Sequence, residues 1–297
     1  MTILLYKLLI GMIVGSFIGI FSYITHLLTK SGTLAMIFVA IIVCGFGSWP
    51  VWALLILFFA SSGFIHLIKK GMKRGSDSSV TEKGHTRDAC QVLANSLPAI
   101  ISLILFYYTD IELFLIGYVS GIAGATSDTW ASEIGILSKE APYSILSFKP
   151  ITPGLSGGIS LLGTISSLLG SLLIATAFWL NSGSYEDFQL SPLLLFSLPL
   201  FCGFLDSLID SLLGIIFQVK YRCPICGSIT EQQQHHHQST LKISGISWVT
   251  NDWVNFFSGS LTVLFSWLLT FLWNKNALSK NKVSLNDDTF KLTLFSL

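Results

Sequence analysis

Ala125-Thr126-Ser127-Asp128-Thr129-Trp130-Ala131-Ser132-Glu133 is a polar, acidic stretch at the end of an apolar run that begins at Leu113. Taken as a membrane helix, Leu113 to about Leu137 carries two carboxylates to or near the bilayer, where a charge costs about 2.5–3.5 kcal/mol at the helix centre on insertion scales. Such a cost needs a reason. Polar clusters at 85–96, 153–164, 206–211 and 251–256 also fall at the ends of apolar segments. Whether the five clusters meet in one place decides what the chain can do.

Of the 297 residues, 52% are apolar and only 11% charged, and the mean hydropathy is +0.69. Ordinary soluble domains carry about 25% charged residues, so this composition belongs to an integral, multi-pass membrane protein whose first partner is the lipid bilayer. The formal charge of +1 says little about further partners, and nucleic acid is not expected among them. Five cysteines in an uneven pattern argue against a disulfide framework, and Cys44, Cys90 and Cys202 fall in or beside apolar segments as packing residues. Met1 to Tyr6 lacks a basic n-region and no A-x-A site follows, so the first apolar run is expected to be a retained helix.

A helix needs about 20 apolar residues to cross the hydrocarbon. The first runs from Ile3 to about Ile24, with Gly11, Gly15 and Gly19 on one face where a second helix can approach closely. Thr33 to Gly47 and Val51 to Ile68 follow, divided by Trp49-Pro50, and predict a tight hairpin of one short and one full helix. The loop 69–87 holds Lys69, Lys70, Lys73, Arg74, Lys83 and Arg87 against Asp77 and Glu82, which places it in the cytoplasm. Later helices cover about Asp88 to Tyr108, Leu113 to Leu137, Gly158 to Leu180, Pro192 to Phe217 and Val254 to Trp273. Loops 138–155 and 218–250 then face the cytoplasm, while Asp110 and Glu112, and Glu186 and Asp187, lie outside. The reading is an all-α, polytopic bundle of about seven spans over residues 1–273. A polar, mobile tail, 274–297, follows; its Lys275, Lys280 and Lys282 fit poorly with an outer location.

In this topology the five clusters approach the cytoplasmic face. Asp88, Gln91 and Asn95 form one stripe at three- and four-residue spacing, and Thr129 shares a face with Glu133. Asp206 and Asp210 are one turn apart, beside Ser207 and Ser211, and Asn251, Asp252 and Asn255 open the last helix. Three readings stand: helix caps and interhelical hydrogen bonds, an ion or proton path, or a Mg²⁺ site for phosphoryl transfer, since Mg²⁺ takes carboxylates together with substrate phosphates. Pro153-Gly154-Leu155-Ser156-Gly157-Gly158, preceded by Lys149, feeds a helix expected at about Ile159, whose first N–H groups make either an anion site or a simple hinge. Cys223-Pro224-Ile225-Cys226-Gly227 is a zinc half-site in the short cytoplasmic loop, to be closed by His235 and His237; the alternative is a reduced, metal-free loop.

Asp88 to Asn95, Ser127 to Glu133, Pro153 to Thr164, Asp206 to Ser211 and Asn251 to Phe256 together resemble the motif set of the DUF92 (TMEM19) family of integral membrane proteins. That family includes a plant chloroplast enzyme that phosphorylates phytyl phosphate and is similar to the polyprenol and dolichol kinases. The resemblance implies a prenyl-phosphate kinase that transfers a phosphoryl group from CTP or ATP to an isoprenoid lipid at the cytoplasmic face, in the plasma membrane if the source is bacterial. Leu155-Ser156 stands where the family pattern has Thr followed by Asp or Asn, and three histidines stand in place of a His-Cys pair.

The expected Mg²⁺ ligands or bases are Asp128, Glu133, Asp206, Asp210 and Asp252. Arg87, Lys149 and the amides of Gly157 and Gly158 are expected to neutralise phosphate, with Asp88, Gln91, Asn95, Asn251 and Asn255 positioning it. The rival reading is a transporter of ions or small solutes built on the same acids. Against it, Ile100 to Phe106, Leu113 to Tyr118 and Leu172 to Trp179 are nearly all apolar, so the polar groups do not continue across the membrane. A scaffold whose acids only tie helices together is the third reading.

Overall fold

The computed structural model describes residues 2–71, 80, 86–181, 183, 188 and 190–294, with the backbone alone at 70, 71 and 276–294. Most of the first basic loop, and the acids Glu186 and Asp187, lie outside the described residues. Eight helices appear among them: α1 (Thr2–Ile24), α2 (Lys30–Phe46), α3 (Trp49–Gly71), α4 (Ala89–Thr109), α5 (Glu112–Gly135), α6 (Leu161–Leu180), α7 (Pro192–Ile216) and α8 (Asn251–Leu294). The last of these carries the backbone through most of the polar tail. All but α2 and α5 are long and apolar enough to cross a bilayer, which gives six candidate spans.

The seventh span expected from sequence is α5, and its composition sets it apart. Leu115 to Ser127 is an unbroken buried run, so this helix is enclosed on every side rather than presenting an apolar face to lipid. A helix buried all round is the core of its bundle. It touches α3, α4, α6, α7 and α8. Small residues make this enclosure tight. Ser127 Oγ lies 2.7 Å from Ser167 Oγ on α6, which lies 2.6 Å from Ser207 Oγ on α7, so three helices share one line of hydroxyls. At the opposite end, Tyr118 donates to the Val51 carbonyl of α3 at 2.8 Å, and Asn274 donates to Glu112 at 2.7 Å.

The α1 glycine stripe packs against α2 as its spacing predicts. A side chain at Gly11 would begin 2.8 Å from the Ala40 carbonyl oxygen, and Gly11, Gly15 and Gly19 are all buried. Around Pro50 the expectation is met only in part. Two helices do meet there, but α2 packs along α1 and α4 while α3 packs along α5, so they are not a closely packed hairpin.

Short strands, absent from an all-α expectation, order the two loops at the site end. β1 (Tyr143–Ser144) pairs with β2 (Gly158–Ile159), folding residues 143–159 into one hairpin-like loop. After α7 come β3 (Lys220–Arg222), β4 (Ile229–Thr230), β5 (Gln234–His235), β6 (Gln238–Ser239) and β7 (Leu241–Ser244). β4, β3 and β7 form a three-stranded sheet, and β5 and β6 a hairpin. The molecule is thus mostly helical, with small β modules at one end.

Candidate functional site

Three helix starts, those of α4, α6 and α8, and the C-terminal halves of α5 and α7 bring the polar clusters together. Asp88 caps α4: its carboxylate accepts the Gln91 N–H at 3.0 Å, and the Gln91 side chain accepts the Asp88 N–H at 3.0 Å. This reciprocal box satisfies two otherwise orphaned donors and sets the direction of the polar stripe. Arg87, just before it, is held by its backbone between the first two helices. Its N–H donates to the Leu27 carbonyl and its carbonyl accepts the Thr29 N–H, both at 3.0 Å. Gly32 is required there, because a Cβ would begin 2.4 Å from the Arg87 carbonyl oxygen.

Between α4, the C-terminal half of α5, α6, α7, the start of α8 and the two β loops lies a cavity of about 310 Å³. Arg87, Gln91, Asn95, Asp128, Glu133, Gly157, Gly158, Asp210, Asn251, Asp252 and Asn255 all line it, as sequence reasoning expected. A much smaller extension beneath it is lined by Asp128 and Asp206 together with Asn95 and Asn255. Asp206 faces that lower space and not the main cavity. Its Oδ1 accepts the Thr262 hydroxyl at 2.6 Å, and a side chain at Gly124 would begin 2.7 Å from its Cγ, so only a glycine on α5 leaves it room.

Asp210 is buried and joined to α8 and α4. With the Asn255 amide set in the orientation that satisfies both of its ends, Nδ2 donates to Asp210 Oδ2 at 2.9 Å and the amide oxygen accepts from Asn95 Nδ2 at 3.1 Å. Ser258 adds a longer bond to the same carboxylate oxygen, 3.3 Å. The asparagines thus act as spacers that fix the acid between three helices.

Two expected residues stand apart. Lys149 is exposed on the turn between β1 and β2, where its carbonyl accepts the Ser144 N–H, and it does not line the cavity. Asp88 is taken up by its cap and lies outside the main cavity, although its carboxylate is within 4.8 Å of Cys90 Sγ and an Asp252 carboxylate oxygen. The glycine loop also differs in detail. Gly158 belongs to β2, and α6 begins only at Leu161, where the Ser160 hydroxyl accepts the Gly163 N–H. Gly157, at φ +91°, is needed because Ile215 Cβ lies 2.5 Å from where its side chain would begin.

Two charged groups were missed. Lys69, at the end of α3, is buried and hydrogen-bonded to Glu133, whose other oxygen lies 3.9 Å from His66 Nδ1. Glu133 is therefore the partner of a cation as much as an acid of the cavity. Glu231 follows β4, is buried, lines the cavity and accepts the Ser156 N–H at 2.8 Å. As the only carboxylate between Asp210 and Asp252, it carried a signal in its isolation. Arg87 completes the charge pattern: burial draws its guanidinium down from the ordinary value, and Glu133 and Asp128 push it back up. Lys69 and Arg87 are cations set among an excess of carboxylates, an arrangement that suits phosphate oxygens and a hard cation together.

Cys223, Cys226 and His235 place their ligand atoms within 4.8 Å of one another. His237 is not among them. Residues 236 and 237, at φ 53° and 61°, form the two-residue turn that joins β5 to β6, and the turn directs His235 toward Cys226 instead. Left-handed backbone at residues other than glycine costs about 1–2 kcal/mol each. The Ser228 hydroxyl, then its backbone, holds the exposed Cys226 thiol down at about 6, so it is largely thiolate at neutral pH.

The family model described as integral membrane protein DUF92 matches residues 13–263. Protein PGR of Arabidopsis thaliana is 30% identical over 275 residues, covering 86% of this chain and 94% of that protein. The uncharacterized membrane protein MJ0933 of Methanocaldococcus jannaschii is 33% identical over 189 residues, or 64% of this chain and 73% of that one. The chloroplastic Protein VTE6 of Arabidopsis thaliana is 38% identical over 65 residues, 22% of this chain and 20% of its own length. No solved structure matches. With the family model spanning most of the chain and PGR similar over nearly its whole length, the protein belongs to the DUF92 family of integral membrane proteins.

Proposed function

We propose that this protein is a membrane-embedded phosphotransferase that passes a phosphoryl group from a nucleoside triphosphate to an isoprenoid monophosphate at the cytoplasmic face. The observation that carries the reading is the cavity itself, which gathers Asp128 and Asp210 with Arg87 and Lys69 at one end of the bundle. The partial likeness to VTE6 and the phytyl-phosphate kinase of the family support the lipid class of substrate.

An attacking oxygen of the lipid phosphate forms a bond to the γ-phosphorus, the bond from that phosphorus to the β–γ bridging oxygen breaks, and a nucleoside diphosphate leaves. A phosphate dianion brings no proton to remove, so no side chain has to act as base in this step. Arg87 and Lys69 bind non-bridging oxygens, and Glu133 holds Lys69 in place. Gln91, Asn95, Asn251 and Asn255 orient the phosphates and keep Asp210 fixed. The donor set of hard carboxylate and amide oxygens fits Mg²⁺, which needs only one or two carboxylates besides phosphates and water; Asp128 and Asp210 would hold it. When bound, Mg²⁺ would neutralise phosphate charge. The prenyl chain lies in hydrocarbon beside the helices.

The reading is tested with purified protein, labelled CTP or ATP and a panel of prenyl alcohols and prenyl monophosphates. Label is expected in a prenyl diphosphate, and Asp128→Asn and Asp210→Asn are each expected to lower transfer by at least about 10²-fold, in the range seen when an electrostatic transition-state group is removed. Label in no lipid from folded protein would overturn it and move the assignment to transport. Transport is disfavoured by the buried, apolar layer of Leu103, Leu115, Ile116, Val119 and Ile122 between the cavity and the Glu112 end.

A further inference from the structure

The loop after α7 has more order than a connector requires. Its three-stranded sheet and its hairpin are joined end to end by the stretch from Cys223 to His235, and Glu231 lies near the middle of that stretch. The backbone of Glu231 is fixed on one side by its N–H bond to the Val80 carbonyl, and its carboxylate reaches across to the Ser156 N–H in the glycine loop. The Glu231 carboxylate is thus a brace between two loops that wall the same cavity. The hairpin that follows Glu231 turns on two left-handed histidines instead of the asparagine or glycine that such a turn favours.

We propose that Cys223, Cys226 and His235 hold a structural Zn²⁺, and that this ion locks Glu231 and the glycine loop into the wall of the cavity. The geometry fits the metal. In a tetrahedral site with Zn–S of about 2.3 Å and Zn–N of about 2.0–2.1 Å, sulfur and nitrogen are about 3.5 Å apart. Cys226 Sγ and His235 Nδ1 are 3.5 Å apart. The buried Cys223 is within the same 4.8 Å group, and two sulfurs with one imidazole are a donor set that selects a borderline-soft ion over Mg²⁺. Solvent or His236, whose ring centroid is 4.2 Å from that of His235, completes the fourth position.

Bridging Cys226 to His235 closes the chain around Glu231 and removes conformational freedom from the segment that carries it. The metal acts on the cavity through position alone. It touches neither the phosphates nor Asp128 or Asp210, so the inference stands whichever reaction the cavity performs.

The test uses the full chain in detergent or nanodiscs, with zinc measured by mass spectrometry and amide hydrogen exchange followed by peptide. Wild-type protein is expected to hold about one zinc per chain, and Cys223→Ser and His235→Ala to hold almost none. Stripping the metal with a chelator is expected to speed exchange of residues 153–158 and 229–235 by about tenfold or more, leave the middle of α5 unchanged, and be reversed by Zn²⁺. A chain that takes up no zinc would overturn the site, and a chain that binds zinc with no change at 153–158 on its removal would overturn the lock. Because stripped and reloaded wild type gives the same comparison, the outcome does not depend on either variant folding.

Discussion

Lys69, buried at the cavity wall, is hydrogen-bonded to the part-buried Glu133, and His66 lies beside the other oxygen of that carboxylate. Removing one partner of a buried pair costs about 3–5 kcal/mol, mostly because the other is left uncompensated. Lys69→Met or Glu133→Gln alone is therefore expected to lower stability in detergent strongly, and the double variant to lose less than the sum of the two. Equal, additive losses in thermal unfolding would show that the residues do not depend on one another. The acids of the site were legible because a carboxylate inside an apolar helix is expensive and so stands out: Asp128 and Asp210 line the cavity together. Lys69 was not, since in sequence it is one of six cations in a loop-like run. Lys149 misled for the converse reason: nearness in sequence to the glycine loop says nothing of where a turn will point a side chain.

At the scale of elements, the whole site depends on how closely α5 and α7 approach. Gly124→Ala adds a methyl 2.7 Å from Asp206 Cγ, and overpacking of this kind costs about 1–3 kcal/mol. The expected result is a lower unfolding temperature together with weaker phosphoryl transfer. Restoring room with Asp206→Ala in the Gly124→Ala background is expected to recover stability but not transfer. Unchanged stability in Gly124→Ala would mean that the helices can separate at no cost. All eight helices among the described residues were legible from apolar length, with Pro50 dividing α2 from α3, although the start of α6 was placed two or three residues early. The enclosure of α5 was not, because a run such as Leu113 to Gly124 reads the same whether its surroundings are lipid or other helices. Nor were the strands, most of them two residues long, since so short a segment has no period to detect.

At the scale of the molecule, function rests on having one chemical end. The two β-bearing loops and every cavity-lining acid lie at the same end of the bundle, and the Glu112 end is closed by Asn274 and by Trp267, which donates to Ser102 at 3.0 Å. In a background with the exposed Cys90 and Cys226 replaced by serine, an impermeant maleimide is expected to label Lys149→Cys from the cytoplasmic side of sealed vesicles and Thr109→Cys from the other side; both are exposed, at opposite ends of the fold. Labelling of both from one side would refute the topology. The backbone pinning of Arg87 by Leu27 and Thr29 has a different consequence, in the history of each copy. One wall of the pocket hangs from Leu27 and Thr29, and another is Asn251 to Asn255, far along the chain from them. A nascent chain therefore has no finished pocket until both of these segments have been made and have met.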